Sequence, residues 1–586
     1  MASAYVYMER FVLTSERAKI EFERPSHWTR DRFLLTSLLL GLLFCLYGMH
    51  WGVAESWHAD QYVLRNLLRE DELPFHPPSY LRPPFHLYLS FFLVRVPVYL
   101  VSEALGVSDH YRRIVELIGA RLLTAALFLG QIVIVFIVSQ RFFGSVAARA
   151  TSLLLATSAG FIAFSHFLTV DIPATFWMLL AFLNSQNILL RGRMRDYVLA
   201  GLFTGVATAT KYNALAIGIS IPVAHWLASN GQFLTRDWTV WKRRLFDTRL
   251  VIGICVVVFG FVLANPFVVL DYSNFVNDLM YNVVWVQYHE GPEVQSGYSY
   301  WLFLERFGEL FGVPAAIFIA IGAVFALLRL FGRRPRRLEV DGLIMLGAVL
   351  ALYYAYFGSF GRLPARFVLP VAPYWLMIVG PLCAVLRLRY LAPPLAAVVV
   401  YNMICSVSVG WRFTHDPRMA ARAWINDHIA KGSSVEYTSY TPNPARFPDK
   451  QFQAVVMPRI SGRVRLFNDI LADDSLVTGR ISRFEGNESN VEWYTADALA
   501  TRSPDYIWIV SDYYERFFSD VLKGYYPGLR QYLADLLEEK FNYAIAYDAA
   551  TPEVPWWIYP QEIDALGNRI TILQRRTQPP SGGPGP

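Results

Sequence analysis

Long apolar runs separated by short basic clusters dominate this chain. Apolar stretches occupy 33–52, 116–138, 147–167, 172–190, 250–270, 303–330, 340–358, 366–386 and 391–411, each near the length a helix needs to cross the hydrocarbon core of a bilayer. Basic clusters at Arg10–Arg32, Arg141–Arg149, Arg191–Arg195, Arg236–Arg249, Arg329–Arg337 and Arg387–Arg389 lie between them and mark the cytoplasmic side.

Parity then decides the ambiguous stretches. Residues 197–228 begin and end at basic loops, so they must cross twice, and the polar break Thr210-Lys211-Tyr212-Asn213 becomes the outer turn. The run 86–106 carries Arg95, Pro97 and Glu103. Counting it as a crossing would put Arg141 and Arg149 outside, so it is expected to lie as a juxtamembrane helix along the outer surface. The expected fold class is a polytopic α-helical membrane protein of about eleven spans. Residues 1–32 form a cytoplasmic segment, and Phe33–Tyr47 opens the first span as an uncleaved signal anchor. The outer loop 53–115 follows, within a transmembrane unit covering 33–411.

Residues 412–576 differ in kind: polar, mixed in charge and rich in aromatics. Asp416-Pro417 starts a helix whose apolar positions Met419, Ala420, Ala423, Trp424 and Ile429 recur until Gly432. Val435–Tyr440, Tyr506–Val510, Tyr543–Tyr547 and Ile570–Leu573 predict strands, with helices over Tyr513–Leu522 and Leu529–Lys540. This predicts a small extracytoplasmic α/β domain. The Pro/Gly-rich tail 577–586 is expected to be disordered.

Composition excludes several function classes. With 54% hydrophobic and 17% charged residues among 586, the chain is too apolar for a soluble protein,. Its net charge of +6 is explained by the loop clusters and is no nucleic-acid footprint. The four cysteines, Cys45, Cys255, Cys383 and Cys405, fall in apolar segments, which precludes a disulfide framework or a CxxC zinc site. Walker A, HExxH and GxSxG patterns are absent from the sequence, so soluble nucleotide, zinc-protease and serine-hydrolase chemistries lack support.

The threading collects charges at one face. Glu55, His58, Asp60, Arg82, Arg121, Asp171, Lys211, His289, Glu290, Arg362 and Arg366 all fall at outer span ends or in outer loops, where ionisable groups beside hydrocarbon are functional candidates. The bland alternative is that such charges snorkel to the interface and anchor helices. Asp171, followed by Pro173, also reads as a helix N-cap, and Lys211 as a helix terminator. A buried ammonium suits a membrane-embedded phosphate. His58, Asp60, Asp171, His289 and Glu290 are of ligand type for a divalent metal, but their spacing is not diagnostic.

These motifs resemble those of the polyprenyl-phosphate-sugar-dependent glycosyltransferases of the GT-C fold. The resemblance is to glycosyltransferase family 39, the dolichyl-phosphate-mannose–protein mannosyltransferases and their bacterial relatives, with lipid A aminoarabinose transferase as a cousin. It runs through Ala59-Asp60-Gln61, His76-Pro77-Pro78 to Arg82-Pro83-Pro84, Ala120-Arg121-Leu122-Leu123 and Ser165-His166 with Thr169-Val170-Asp171-Ile172-Pro173. It continues through Ala207 to Asn213, Asn265-Pro266-Phe267 with Leu270-Asp271, Tyr288-His289-Glu290-Gly291 and Ala365-Arg366-Phe367-Val368-Leu369-Pro370. One departure stands out: the family's Asp-Glu pair is Asp60-Gln61 here, which puts the role of the second acid in question.

The resemblance implies an inverting transfer of a sugar, mannose among the candidates, from a polyprenyl monophosphate to an acceptor hydroxyl on protein, lipid or glycan at the outer face. It implies Asp60 as base with Asp171 second, and Arg82, Lys211 and Arg366 on the donor phosphate. Glu55, His58, Gln61, Arg121, His289, Glu290 and Arg362 would line the substrate pocket. No nucleotide cofactor is required, and a divalent metal is left open. The expected partners are the lipid-linked sugar, the acceptor and the bilayer, and the short loops favour a bacterial plasma membrane. The competing readings are a transporter or flippase and a non-catalytic receptor for the same lipid. Transporters place polar sites near the midplane between repeats, whereas here the charges gather at one face and no repeat is visible.

Overall fold

The computed structural model describes residues 30–53, 55, 57–58, 64–68, 72–228, 238–287, 299–331, 336–360, 363–447, 449–458, 460, 488–518, 526–558, 566 and 568–576. The expected tail 577–586 and most of the expected segment 1–32 lie outside them.

Helix α1 (Arg32–Leu46) starts where Asp31 caps two backbone amides. A 3-10 turn at Leu64–Leu67 precedes α2 (Phe85–Ala104), a helix with one π-type turn at Phe91–Arg95. Next come α3 (Asp109–Phe143), α4 (Ser145–Ala156) and α5 (Ala159–Ser165). The last two are bent by 54° at the intervening break. Helices α6 (Asp171–Arg191), α7 (Met194–Thr208), α8 (Ser220–Ala228), α9 (Trp238–Leu245), α10 (Thr248–Ala264) and α11 (Tyr272–Gln287) follow. Then come α12 (Tyr300–Phe311), α13 (Val313–Leu330), α14 (Arg337–Gly358), α15 (Ala365–Val385, irregular), α16 (Leu388–Thr414) and α17 (Pro417–His428).

Among the described residues, six helices are long and apolar enough to cross a membrane, or seven if the bent α4–α5 pair is one span. About eleven were expected from the apolar runs. The other expected spans are helical but short or diluted: α10 has 17 residues, and α6 carries the polar run Asn184-Ser185-Gln186-Asn187. The helix expected to lie flat over 86–106 is the 20-residue α2, which has the length and apolarity of a crossing helix. Exposed apolar side chains run down one face of α10, at Val251, Ile254 and Val258, which is the surface a bilayer covers and water does not. The protein is a multi-pass membrane protein.

Small residues let these helices touch. A Cβ added at Gly201 would fall 2.2 Å from the Gly253 carbonyl oxygen, and one at Gly205 would fall 2.4 Å from that of Val257. This is the close backbone packing that replaces a hydrophobic driving force between helices in lipid.

After α17, whose N-cap is Asp416 as expected, the chain builds a five-stranded sheet. Its strands are β1 (Ser434–Tyr437), β2 (Gln453–Val456), β3 (Tyr506–Val510), β4 (Tyr543–Ala550) and β5 (Arg569–Arg575), in the order β2-β1-β3-β5-β4. Pairing is parallel for β1 with β2 and β3, and antiparallel for β5 with β3 and β4. The central strand β3 is buried throughout. Its Tyr506 and Trp508 meet Ala421 and Ile425 of α17, while Ile507 and Ile509 meet Leu529, Leu533 and Leu536 of α18 (Pro527–Leu537). That two-sided burial is why the strand reads as an unbroken apolar run. The four expected strands are present. Strand β2 was not expected; it is an exposed edge with no buried face to leave a pattern. Of the helix expected over 513–522, the described residues form a short turn, Ser511–Tyr514, followed by 3-10 geometry to Phe518, and 519–522 lie outside the described residues.

Candidate active site

Helix α6 begins at Asp171, so the aspartate sits in the first turn and not at the N-cap, and its side chain makes no capping bond. A carboxylate there is favoured by the helix dipole, and Pro173 in the same turn has no amide to leave unsatisfied. The freed carboxylate takes a different partner: Lys211 Nζ donates to Asp171 Oδ1 at 2.7 Å. Both side chains are largely buried, 13% exposed for the lysine and 6% for the aspartate.

Lys211 is aimed there by the end of α7. The helix stops at Thr208, the Lys211 amide still donates to Ala207 O, and the residue itself is extended at φ −152°, ψ 121°. Its ammonium also donates to the backbone oxygen of Arg366 at 3.2 Å and lies 5.3 Å from the centre of the Phe367 ring. The Arg366 guanidinium stands 6.0 Å from the same ring. Lys211 thus joins the carboxylate of Asp171 to the backbone carbonyl of Arg366. Among the described residues, the ammonium has one hydrogen beyond these two bonds.

Arg82 belongs to a segment clipped onto the same turn. Phe85 N donates to Ala209 O at 3.2 Å and Tyr212 Oη donates to Tyr80 O at 2.6 Å, so 80–85 runs along 209–212. From the other side, Asn265 Nδ2 donates to Ala209 O at 3.3 Å. The buried Asp278 of α11 accepts from Tyr80 N at 2.7 Å and from Ser79 Oγ at 3.2 Å. His76 bridges Glu72 and Asp271, with its Nε2 2.8 Å from Asp271 Oδ2. Segments 72–85, 171, 207–213, 265–282 and 366–367 form one cluster of backbone and side-chain contacts.

Two expected pocket residues, Glu55 and Arg121, make contacts within the fold. Glu55 is held by the Arg422 guanidinium and accepts from Asn443 N at 2.8 Å, so it ties the first loop to α17 and to the coil after β1. Arg121 is fully buried; its Nη1 donates to Met49 O at 2.7 Å and also to Trp51 O, and the guanidinium stacks over Trp51. It props the chain reversal after α1. His58 is buried with its ring 4.2 Å from that of Phe167, four residues before Asp171. Asp60, Gln61, His289, Glu290 and Arg362 lie outside the described residues.

No group of three His, Cys, Asp or Glu side chains suited to a metal occurs among the described residues. Of the metal-ligand candidates, Asp171 faces an ammonium, which repels a cation. Sequence reasoning missed Asp278, Arg422 and Asn443. Asp278 carried no motif, and the Glu55 contacts join positions more than 360 residues apart.

Residues 114–264, which hold both Asp171 and Lys211, match the family model of dolichyl-phosphate-mannose-protein mannosyltransferase. Comparison with curated proteins gives no match. Among solved structures, the chain is similar to ArnT from Cupriavidus metallidurans bound to undecaprenyl phosphate, at 14% identity and a TM-score of 0.47, covering 94% of this chain and 98% of that one. It is also similar to the archaeal oligosaccharyltransferase AglB from Archaeoglobus fulgidus in complex with an inhibitory peptide and a dolichol-phosphate, at 13% identity and a TM-score of 0.45, covering 84% and 72%. The chain is thus a multi-pass membrane protein whose residues 114–264 are similar to the dolichyl-phosphate-mannose-protein mannosyltransferase family.

Proposed function

We propose that the protein is a GT-C glycosyltransferase that moves a sugar from a polyprenyl monophosphate to an acceptor hydroxyl at the outer membrane face, with inversion. The observation that carries this reading is the Lys211–Asp171 pair beside Arg366, at the ends of helices whose other ends are basic. Three cations, Lys211, Arg366 and Arg82, on one cluster suit a phosphate leaving group, whose charge grows as its bond to the sugar breaks; the carboxylates of Asp271 and Asp278 there are taken by His76 and by Tyr80 and Ser79.

In the proposed reaction the acceptor oxygen attacks the anomeric carbon from the face opposite the phosphate. The acceptor's proton passes to a carboxylate, for which Asp60 is the candidate. The bond between the anomeric carbon and the phosphate oxygen breaks, its electron pair leaving with the lipid phosphate onto the cations. Asp171 orients Lys211, since its Oδ1 is already engaged by the ammonium. The donor sugar is left as a hexose or pentose and the acceptor as a protein, lipid or glycan. The plasma membrane of a bacterium is the proposed location, with the sheet-bearing C-terminal residues on the outer side.

The test is transfer from radiolabelled undecaprenyl-phosphate-mannose, and from other polyprenyl-phosphate sugars, into membrane extract by purified protein, with Asp60→Asn as control. Sugar released by wild type and not by the variant supports the enzyme and its base together. Binding without release for every donor, with or without divalent metal, sinks the transferase and leaves a receptor.

A further inference from the structure

The connection between β4 and β5 spans residues 551–568, far beyond the two to about five residues usual for a hairpin. It leaves the sheet and reaches the helices. Ile558 and Leu566 are buried in the same apolar core as the membrane helices, and Tyr401 Oη of α16 donates to Trp557 O at 2.6 Å. Immediately before Ile558 the sequence is Pro555-Trp556-Trp557. Trp556 is 85% exposed and Trp557 45%.

The depth of this loop is set by its neighbours. The Tyr401 ring packs against Gly312, where an added Cβ would come within 2.9 Å of it. Gly312 precedes the first residue of α13, a helix of spanning length whose other end carries Arg329. Tyr401 therefore stands level with one end of a span. Around it Val313, Val400 and Ile404 are exposed apolar side chains on helices of spanning length, so the two indoles continue a lipid-facing surface. Indoles, apolar with one N–H, collect at that boundary in membrane proteins.

We propose that Pro555–Ile558 is a membrane-seated anchor, with Trp556 inserted at the headgroup–acyl boundary of the bilayer beside the N-terminal end of α13. Residues 551–558 contain Glu553 and no Lys or Arg, so the anchor holds by apolar burial and not by attraction to anionic lipid. It fixes the sheet relative to the membrane whether or not the protein transfers sugar.

The test uses full-length protein in phosphatidylcholine vesicles, with and without phosphatidylglycerol. The background is Cys255→Ser, since Cys45, Cys383 and Cys405 are buried. A polarity-sensitive fluorophore is attached at Trp556→Cys or, as a water-facing control, at Lys540→Cys, Lys540 being 55% exposed. The expected result is blue-shifted emission at 556, quenched by lipid carrying a shallow nitroxide and shielded from iodide, in both lipid mixtures. Equal iodide quenching at 556 and 540, or no lipid quenching at 556, overturns the anchor. Unlabelled protein gives a second reading: Trp556→Phe should lower the share of tryptophan emission quenched by brominated lipid, and an unchanged share overturns the proposal.

Discussion

Lys211 and Asp171, forty residues apart in the chain, meet at 2.7 Å with both side chains mostly out of solvent. A buried ion pair of this kind adds little net stability, but removing one partner strands the other charge. The pair therefore has separable effects on folding and on activity. Lys211→Met should lower kcat/KM by roughly 10²–10³-fold, the usual size of losing one pre-positioned charge from a reaction centre. It should also lower the melting temperature, because Asp171 stays buried without its cation. Adding Asp171→Asn to Lys211→Met should restore the melting temperature and leave activity low. Thermal unfolding in detergent and the transfer assay check both arms, and a double variant no more stable than Lys211→Met would refute the stranded-charge account.

Glu55 holds the first loop against α17 and the amide of Asn443. Because His58 packs on Phe167 only three residues further on, a loosened Glu55 should mis-set the loop without touching the Lys211 cluster. Glu55→Ala is expected to reduce kcat about tenfold or more while donor affinity stays within about twofold, as for a group that positions without binding. Direct binding of a polyprenyl phosphate beside turnover measurements decides it. A fall in donor affinity matching the fall in kcat would place Glu55 at the substrate instead.

The α7–α10 contact predicts a steep penalty for a single methyl group. At Gly205 an added Cβ would lie 2.4 Å from Val257 O, and backbone cannot step aside as a side chain can. Gly205→Ala should cost about 1–3 kcal/mol through overpacking, while Gly347→Ala, where nothing lies within 4 Å, should be silent or slightly stabilising. Parallel melting curves in one detergent would compare them.

Acid should loosen the sheet through two aspartates. Ser434 donates its amide and hydroxyl to Asp505, and Arg575 adds a third bond, so Asp505 titrates below the usual aspartate value. Arg569, with help from Thr571, lowers Asp548 in the same way. A folded-state pKa below the unfolded value of about 3.9 means the stabilisation is complete above that value and is lost as pH falls through the folded one. Asp505→Asn should flatten the acid limb of a stability–pH curve below about pH 4, without changing its neutral plateau as steeply as loss of a core residue would. An acid limb of unchanged slope would remove Asp505 from the account.

What the sequence by itself determined was whatever repeats locally. Apolar runs of spanning length marked the membrane helices, and Asp416-Pro417 marked the start of α17. The apolar runs around Ile507 and Ile572 marked strands, because burial on both faces leaves an unbroken pattern. It also marked Asp171, Lys211 and Arg366, since a charge beside hydrocarbon is costly enough to be conspicuous.

Tertiary structure decided which charges face one another. Lys211 meets the Asp171 carboxylate and the Arg366 backbone carbonyl because the ends of three helices converge, while Arg121 and Glu55, equally conspicuous in the sequence, bond to backbone carbonyls and to Arg422. Nothing local distinguishes the two groups. A lone charge at a helix end looks the same whether its partner is a ligand or a residue hundreds of positions away, and only packing brings that partner within hydrogen-bond range.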